Sequence, residues 1–208
     1  MNLTLMKKER LFARILLSAG FLAAVSSCIA ATQDDNASIV LNNIATRASV
    51  RQFTAQPVDK ATLETIVRAG MAAPSAVNRQ PWAFVVVTER SVLDSLENVH
   101  PHANLKTATA AIIVCGDMKK ALDGAAREYW VQDCSAVTQN ILLAAHAMGL
   151  GAVWCGVYPS SDRVVAVSRV MGLPESVVPL NVITMGYPAE QPKPKDKWKP
   201  EKIHYQRW

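Results

Sequence analysis

The chain has 208 residues, 50% apolar and 19% charged, with 9 Gly, 11 Pro, 4 Cys and a formal net charge of +5. That length supports one domain with a real core, and the composition excludes a disordered polymer, a collagen-like repeat and a disulfide-stapled mini-protein. Lys7, Lys8, Arg10 and Arg14 against Glu9 place +3 in the first 27 residues and leave +2 for the rest, too little for a nucleic-acid footprint.

Residues 1–31 have the order of an export leader. A basic stretch precedes the apolar run Ile15 to Val25, and the small-residue stretch Ser26-Ser27-Cys28-Ile29-Ala30-Ala31 follows. The apolar run is too short to cross a bilayer comfortably. Val25-Ser26-Ser27-Cys28 resembles a bacterial lipobox, so the expectation is an exported protein of the cell envelope or periplasm, with Cys28 as a possible lipid anchor. The competing reading is a buried N-terminal helix. Cys115, Cys134 and Cys155 show neither C-x-x-C nor zinc-ligand spacing, and the first two read as small core residues.

Asp34 to Ala45 reads as a short helix with Ile39, Val40 and Ile44 on one side. Asp59 is an N-cap ahead of Leu63, Ile66, Val67 and Gly70, in a helix that Pro74 ends. Trp82 to Thr88 and Ala110 to Cys115 are apolar, β-branched runs of the kind that form buried strands. From about Ala125 to Met148, Trp130, Cys134, Val137, Ile141, Ala144, Ala145 and Met148 recur at helical steps, and Gly149 stops the helix. Gly151 to Tyr158 is a third strand, Ser160 caps a helix to Met171, and Val177 to Met185 is a fourth strand. Helices and strands mix without a βαβ cadence, which predicts an α+β fold. After Gly186, Pro188, Pro192, Pro194 and Pro200 exclude both helix and central strand. Trp198, Ile203, Tyr205 and Trp208 nevertheless give this stretch large apolar anchors, so residues 187–208 read as an extended arm suited to a neighbouring subunit.

Four clusters could carry chemistry. In an extended Arg47-Ala48-Ser49-Val50-Arg51, residues 47, 49 and 51 point the same way and offer two forked cations and a hydroxyl, a phosphate grip. An ordinary solvated basic strand has the same pattern. Pro74 and Pro81 bracket a polar loop whose Asn78 and Gln80 amides match a heterocycle edge, or simply satisfy turn amides. Gly149-x-Gly151 lacks a third glycine and follows a helix, so it fails as a dinucleotide fingerprint. Glycines there and at Gly156 could instead leave backbone N–H groups uncovered beside a ligand. Lys193, Lys195, Lys197 and Lys199 alternate along the arm, as solvated runs also do. His100 and His102 could begin a metal site but have no third ligand at a telling distance. Ser135, Ser160 and Ser168 lack a nucleophile elbow, and Cys155 has no base nearby in sequence.

Together these clusters resemble the nitroreductase family of flavoenzymes. The matching residues are Arg47-x-Ser49-x-Arg51 with Phe53 and Pro57-Val58, Ala73-Pro74-Ser75-x-x-Asn78-x-Gln80-Pro81-Trp82, Met148 to Ala152 running into Trp154-x-Gly156, and Met185-Gly186-Tyr187-Pro188. The resemblance implies an α+β fold around a mostly antiparallel sheet flanked by helices, in one domain over 32–208. It also implies a homodimer with two FMN sites at the interface and NAD(P)H as electron donor. By the same resemblance Arg47, Ala48, Ser49 and Arg51 lie along the FMN phosphate, the ribityl chain and the N1–O2 side of the ring, and Lys195 and Lys197 complete the phosphate grip. Pro74, Ser75, Ala76 and Asn78 come from the partner subunit, and Trp154, Cys155 and Gly156 lie near the flavin face and N5, with Gly156 as a backbone donor. Ala48 stands where relatives usually have a second basic residue, and Lys197 where many have Arg. The implied reaction is hydride transfer from NAD(P)H through FMN to a nitroaromatic or quinone, in ping-pong order. A flavin carrier without turnover and a reductive dehalogenase are the alternatives.

Overall fold

The computed structural model describes residues 35–208. The leader expectation, including Cys28, lies outside them. Two compact units divide the chain at Ile44, the second being Ala45–Trp208. A helix over 35–46, α1, leaves Ile39, Val40, Leu41 and Ile44 exposed.

Four strands form the sheet of the second unit: β1 (Trp82–Val87), β2 (Ala110–Asp117), β3 (Gly151–Gly156) and β4 (Val177–Gly186). They run antiparallel in the order β1-β2-β4-β3, as the α+β expectation requires. Helices α2 (Lys60–Met71) and α4 (Tyr129–Ala147) share one hydrophobic cluster with the sheet; α3 (Arg90–Val99) and α5 (Ser161–Met171) share the other. β2 shows why its sequence is apolar throughout. Ala110, Ile112 and Val114 face the first cluster, Ala111, Ile113 and Cys115 the second, and all six are buried. Each fully buried isoleucine there contributes about 1.5–3 kcal/mol.

Asp59 caps α2 as read from sequence, its carboxylate accepting from the Thr62 N–H at 2.8 Å and the Thr62 hydroxyl at 2.7 Å. Gly70 lets α2 close onto α4, since a Cβ at that position would lie 2.7 Å from Ile141. Cys115, Cys134 and Cys155 are free and buried, and burial pushes the Cys115 thiol up to about 12 and Cys134 higher still.

Three boundaries differ from expectation. The long helix does not start at Ala125: the chain enters through Gly124 at φ +59 and winds as a 3₁₀ turn over Gly124–Glu128 before α4 begins. β3 ends at Gly156 rather than Tyr158, because the N–H groups of Val157 and Tyr158 both turn to Leu180 O, 3.0 Å from each. Leu180 is free to accept both because β4 bulges there: Val114 pairs with Asn181 and Cys115 with Pro179. Ser160 stands at the N-cap of α5 but its side chain makes no capping bond. The sequence reading also passed over α3, although Val92, Leu93, Leu96 and Val99 repeat at helical steps and bury Leu93 and Leu96.

Candidate functional site

The Arg47–Arg51 segment lies on the outer edge of β3. Val50 N–H donates to Ala152 O at 3.1 Å, and Ser49 bridges Ala152 in parallel. Gly151 makes this approach possible, since a Cβ there would meet Val50 at 2.7 Å. Val50 and Phe53 are buried while Ser49 and Arg51 are exposed, so the segment is extended, as its spacing predicts. Arg47 and Ala48 are half-buried as the chain leaves α1. Beside them Thr46 Oγ1 and His146 Nε2 are hydrogen-bonded at 2.9 Å. Burial first, and then the Arg47 charge, hold the His146 pKa below its usual value.

Antiparallel geometry decides which way β3 aims its backbone. A residue in such a strand points its N–H and C=O to the same edge, and alternate residues point alike. Ala152 O points outward to Val50, so Trp154 and Gly156 also turn their N–H groups to the outer edge, which the 47–53 segment leaves open. Arg163 Nη1 donates to Gly156 O from that side at 3.4 Å. At this edge is a cleft of about 260 Å³ lined by Arg51, Trp154, Cys155 and Gly156 together with His100, His102, Asn104 and Arg163. A Cβ on Gly156 would find nothing within 4 Å. Two expected site segments, Arg51 and Trp154-Cys155-Gly156, therefore meet.

Cys155 contributes backbone rather than a reactive thiol. Its side chain is 6% exposed, its sulfur donates to Ala103 O at 3.4 Å, and burial pushes its pKa up. Trp154, on the opposite face of the strand, is 37% exposed.

The Pro74–Pro81 loop is strained. Val77, Asn78 and Gln80 all have φ between 50 and 54, and Val77 is 82% exposed. A β-branched residue in the left-handed region costs roughly 1–3 kcal/mol, the kind of strain that collects at functional sites. Ala76 N–H donates at 2.8 Å to Oδ1 of Asp133, a buried carboxylate on α4. Ser75 Oγ accepts from Gln80 N–H at 3.0 Å, and Gln80 Nε2 donates to Asn78 Oδ1 at 2.9 Å. Pro74 and Asn78 are exposed, and none of the four expected loop residues lines the cleft of its own chain.

The arm starts beside the same edge. Thr54 N–H donates to Tyr187 O at 2.8 Å, and Ala189 N–H to Gln52 O at 3.0 Å, so the start of the arm pairs with the chain just after Arg51. Lys195 and Lys197 lie farther along, exposed and outside the cleft lining of one chain. Trp198, Tyr205 and Trp208 are 70%, 78% and 100% exposed.

Sequence reasoning missed Asn104, Arg163 and Asp133 as site residues, and raised His100 and His102 only as metal ligands. Among the described residues no three His, Cys, Asp or Glu side chains are placed to hold a metal. Arg163 sits in the first turn of α5, where only the bend of the chain after β3 brings it to Gly156.

The Nitroreductase family model matches residues 44–104 and 96–187. A Methanothermobacter thermautotrophicus protein provisionally named NADH dehydrogenase/NAD(P)H nitroreductase is 47% identical over 171 residues, covering 81% of this chain and 87% of its own. A crystal structure with the same provisional name from Parabacteroides distasonis superposes with a TM-score of 0.77 at 45% identity, covering 81% of this chain and 98% of that one. An FMN-dependent nitroreductase from Clostridium difficile superposes with a TM-score of 0.73 at 25% identity, covering 81% and 99%. The matched span holds the β3 edge and the segment along Gly151 that shape the cleft, together with the strained loop, and by that span the chain belongs to the nitroreductase family of oxidoreductases.

Proposed function

We propose that the protein is an FMN-dependent NAD(P)H oxidoreductase that reduces an electron-poor acceptor of the nitroaromatic or quinone class. The observation that carries this reading is the open β3 edge: an uncovered Gly156 N–H and a free Arg51 side chain border one cleft. FMN dependence is also stated for the Clostridium difficile relative.

The residues fit the cofactor. A planar ring needs a surface without side chains, which Gly156 provides, and its polar edge needs donors, which the edge backbone and Arg51 supply. Arg47, Ser49 and Arg51 lie on one short extended segment, positioned for a phosphate and the ribityl chain leading to it, with Ala48 adding backbone only. Lys195 and Lys197 would close that grip once the arm is seated. When bound, FMN would supply the two-electron chemistry that links NAD(P)H to the acceptor. The chain's own residues would position the ring, and Arg51 would hold a positive charge at its N1–O2 side.

The functional unit in this reading is a homodimer. The arm's exposed aromatics and the exposed apolar side chains of α1 call for a covering surface, and a second copy supplies one. Pro74, Ser75, Ala76 and Asn78 would then reach the partner's cleft, consistent with a strained, outward loop. The leader would place this dimer in the cell envelope or periplasm, held by lipid if Cys28 is modified.

Purification without added cofactor tests the reading. The expected result is a yellow protein with a flavin spectrum that NADH or NADPH bleaches in the absence of oxygen. A colourless monomer would overturn it, and a flavin that resists bleaching would leave a carrier without turnover.

A further inference from the structure

We propose that the part of the cleft built by His100, His102, Asn104 and Arg163 is an anion subsite holding a carboxylate or phosphate of a redox partner beside Gly156. The redox role rests on the flavin reading above; the anion chemistry rests on these side chains alone.

Charge is the first argument. Arg51 and Arg163 bring two fixed cations to a cleft that no carboxylate lines. Neither forms an ion pair among the described residues, and the one hydrogen bond of Arg163 is the long one to Gly156 O. With Arg51 given to the flavin in the reading above, Arg163 is the cation left for a second anion, and an anion beside it offsets the repulsion between the two. Glu97, the acid that acts on His100, is occupied, its Oε2 accepting from Leu105 N–H at 2.7 Å.

The second argument is independent. His100 is only 2% exposed, yet its Nε2 has no hydrogen-bond partner. A buried nitrogen without a partner is rare and costs stability unless something else satisfies it. Burial, followed by the charges of Arg163 and His102, holds the His100 pKa down, against Glu97 and a hydrogen bond to the Cys155 backbone. An anion in the cleft would offset the two charge contributions though not the burial. Asn104, held in the left-handed conformation at φ +59, keeps the turn after His102 at the mouth of this cleft.

Two partners of the proposed enzyme carry such a group: NAD(P)H through its phosphates, and an acceptor bearing a carboxylate. The variant Arg163→Gln separates them, since an exposed arginine whose single bond is long can be replaced without harm to the fold. Binding is read first, by calorimetric titration of the purified protein with 4-nitrobenzoate and, separately, with inorganic phosphate. Flavin reduction by NADH is then compared with reduction by dihydronicotinamide riboside, which lacks phosphate, and reoxidation by 4-nitrobenzoate with reoxidation by 4-nitrobenzamide. The expected result is about a tenfold loss for the anionic member of one pair, in titration or in kcat/KM, with the neutral member within twofold and partial recovery in Arg163→Lys. Loss confined to NADH assigns the subsite to the donor; loss confined to nitrobenzoate assigns it to the acceptor. Equal losses for charged and neutral members, or none, overturn the proposal. A colourless protein would refute the flavin reading while the titrations still decide whether an anion binds.

Discussion

The backbone N–H of Ala76 and the carboxylate of Asp133 are joined at 2.8 Å across 57 residues of sequence, and this bond fastens a strained surface loop to the buried face of α4. Asp133 is 6% exposed, so its removal would leave a half-buried amide without a partner. Asp133→Ala should cost about 1.5–3 kcal/mol, the worth of a hydrogen bond to a charged group. Asp133→Asn keeps an acceptor oxygen and should recover part of that. Urea unfolding measures both. If the loop serves the partner's flavin, Asp133→Ala should also raise the flavin dissociation constant in protein that is still folded; unchanged retention would show that the tether is only structural.

Gly156 separates folding from binding. No atom lies within 4 Å of a Cβ built there, and its φ is not in the left-handed region, so Gly156→Ala should leave the thermal midpoint nearly unchanged. The same methyl would intrude on the space proposed for the ring. Flavin content per chain, read from the ratio of visible to ultraviolet absorbance, should therefore fall sharply. A variant that keeps its full flavin complement would place the ring elsewhere.

Much of this architecture could be read from residue order, and the misses have physical causes. β2 is legible because a strand buried on both faces is apolar from Ala110 to Cys115, and β4 because its apolar run is broken only by the buried Asn181 and Thr184. α2 is legible because Asp59 and Pro74 mark its ends. The 47–51 segment is legible because period two separates Val50 from Ser49 and Arg51. What sequence could not supply is convergence. His100 and Arg163 lie 63 residues apart in number and line one cleft only because the turn that follows α3 and the bend that follows β3 come to the same place. Asp133 reads as one polar residue within an apolar helix; its role depends on a loop that the fold brings to it. Gly124 hides the start of α4, since helical periodicity continues through residues that wind as a 3₁₀ turn.

Two histidines give the stability a pH dependence whose sign is fixed. The pKa values of His100 and His146 are both lowered in the folded protein, chiefly by burial. Below the unfolded value of about 6.5 the unfolded chain takes up protons that the native state resists, so acid favours unfolding. Stability should be complete above about pH 7 and should decline as pH falls through 6.5 towards the folded values. Urea midpoints between pH 7.5 and 5.5 measure this. His100→Gln should flatten part of the slope and His146→Gln another part. A midpoint that rises on acidification would mean that the folded state prefers the imidazolium at these positions.

Arg51 gives the most direct electrostatic prediction. It borders the cleft beside Gly156, exposed and without an ion pair among the described residues, so its charge is available to a ligand. A fixed cation at the N1–O2 side of a flavin favours the reduced, anionic form over the neutral oxidised one. Arg51→Ala should therefore do two things at once: weaken flavin retention and lower the reduction potential of the flavin that remains. Arg51→Lys keeps the charge but loses the fork, so its potential should lie closer to that of the unaltered protein while retention still suffers. Potentials from dye equilibration and dissociation constants from ultrafiltration separate the two effects. An unchanged potential in a flavin-loaded Arg51→Ala protein would show that the guanidinium sits too far from the ring to act on it.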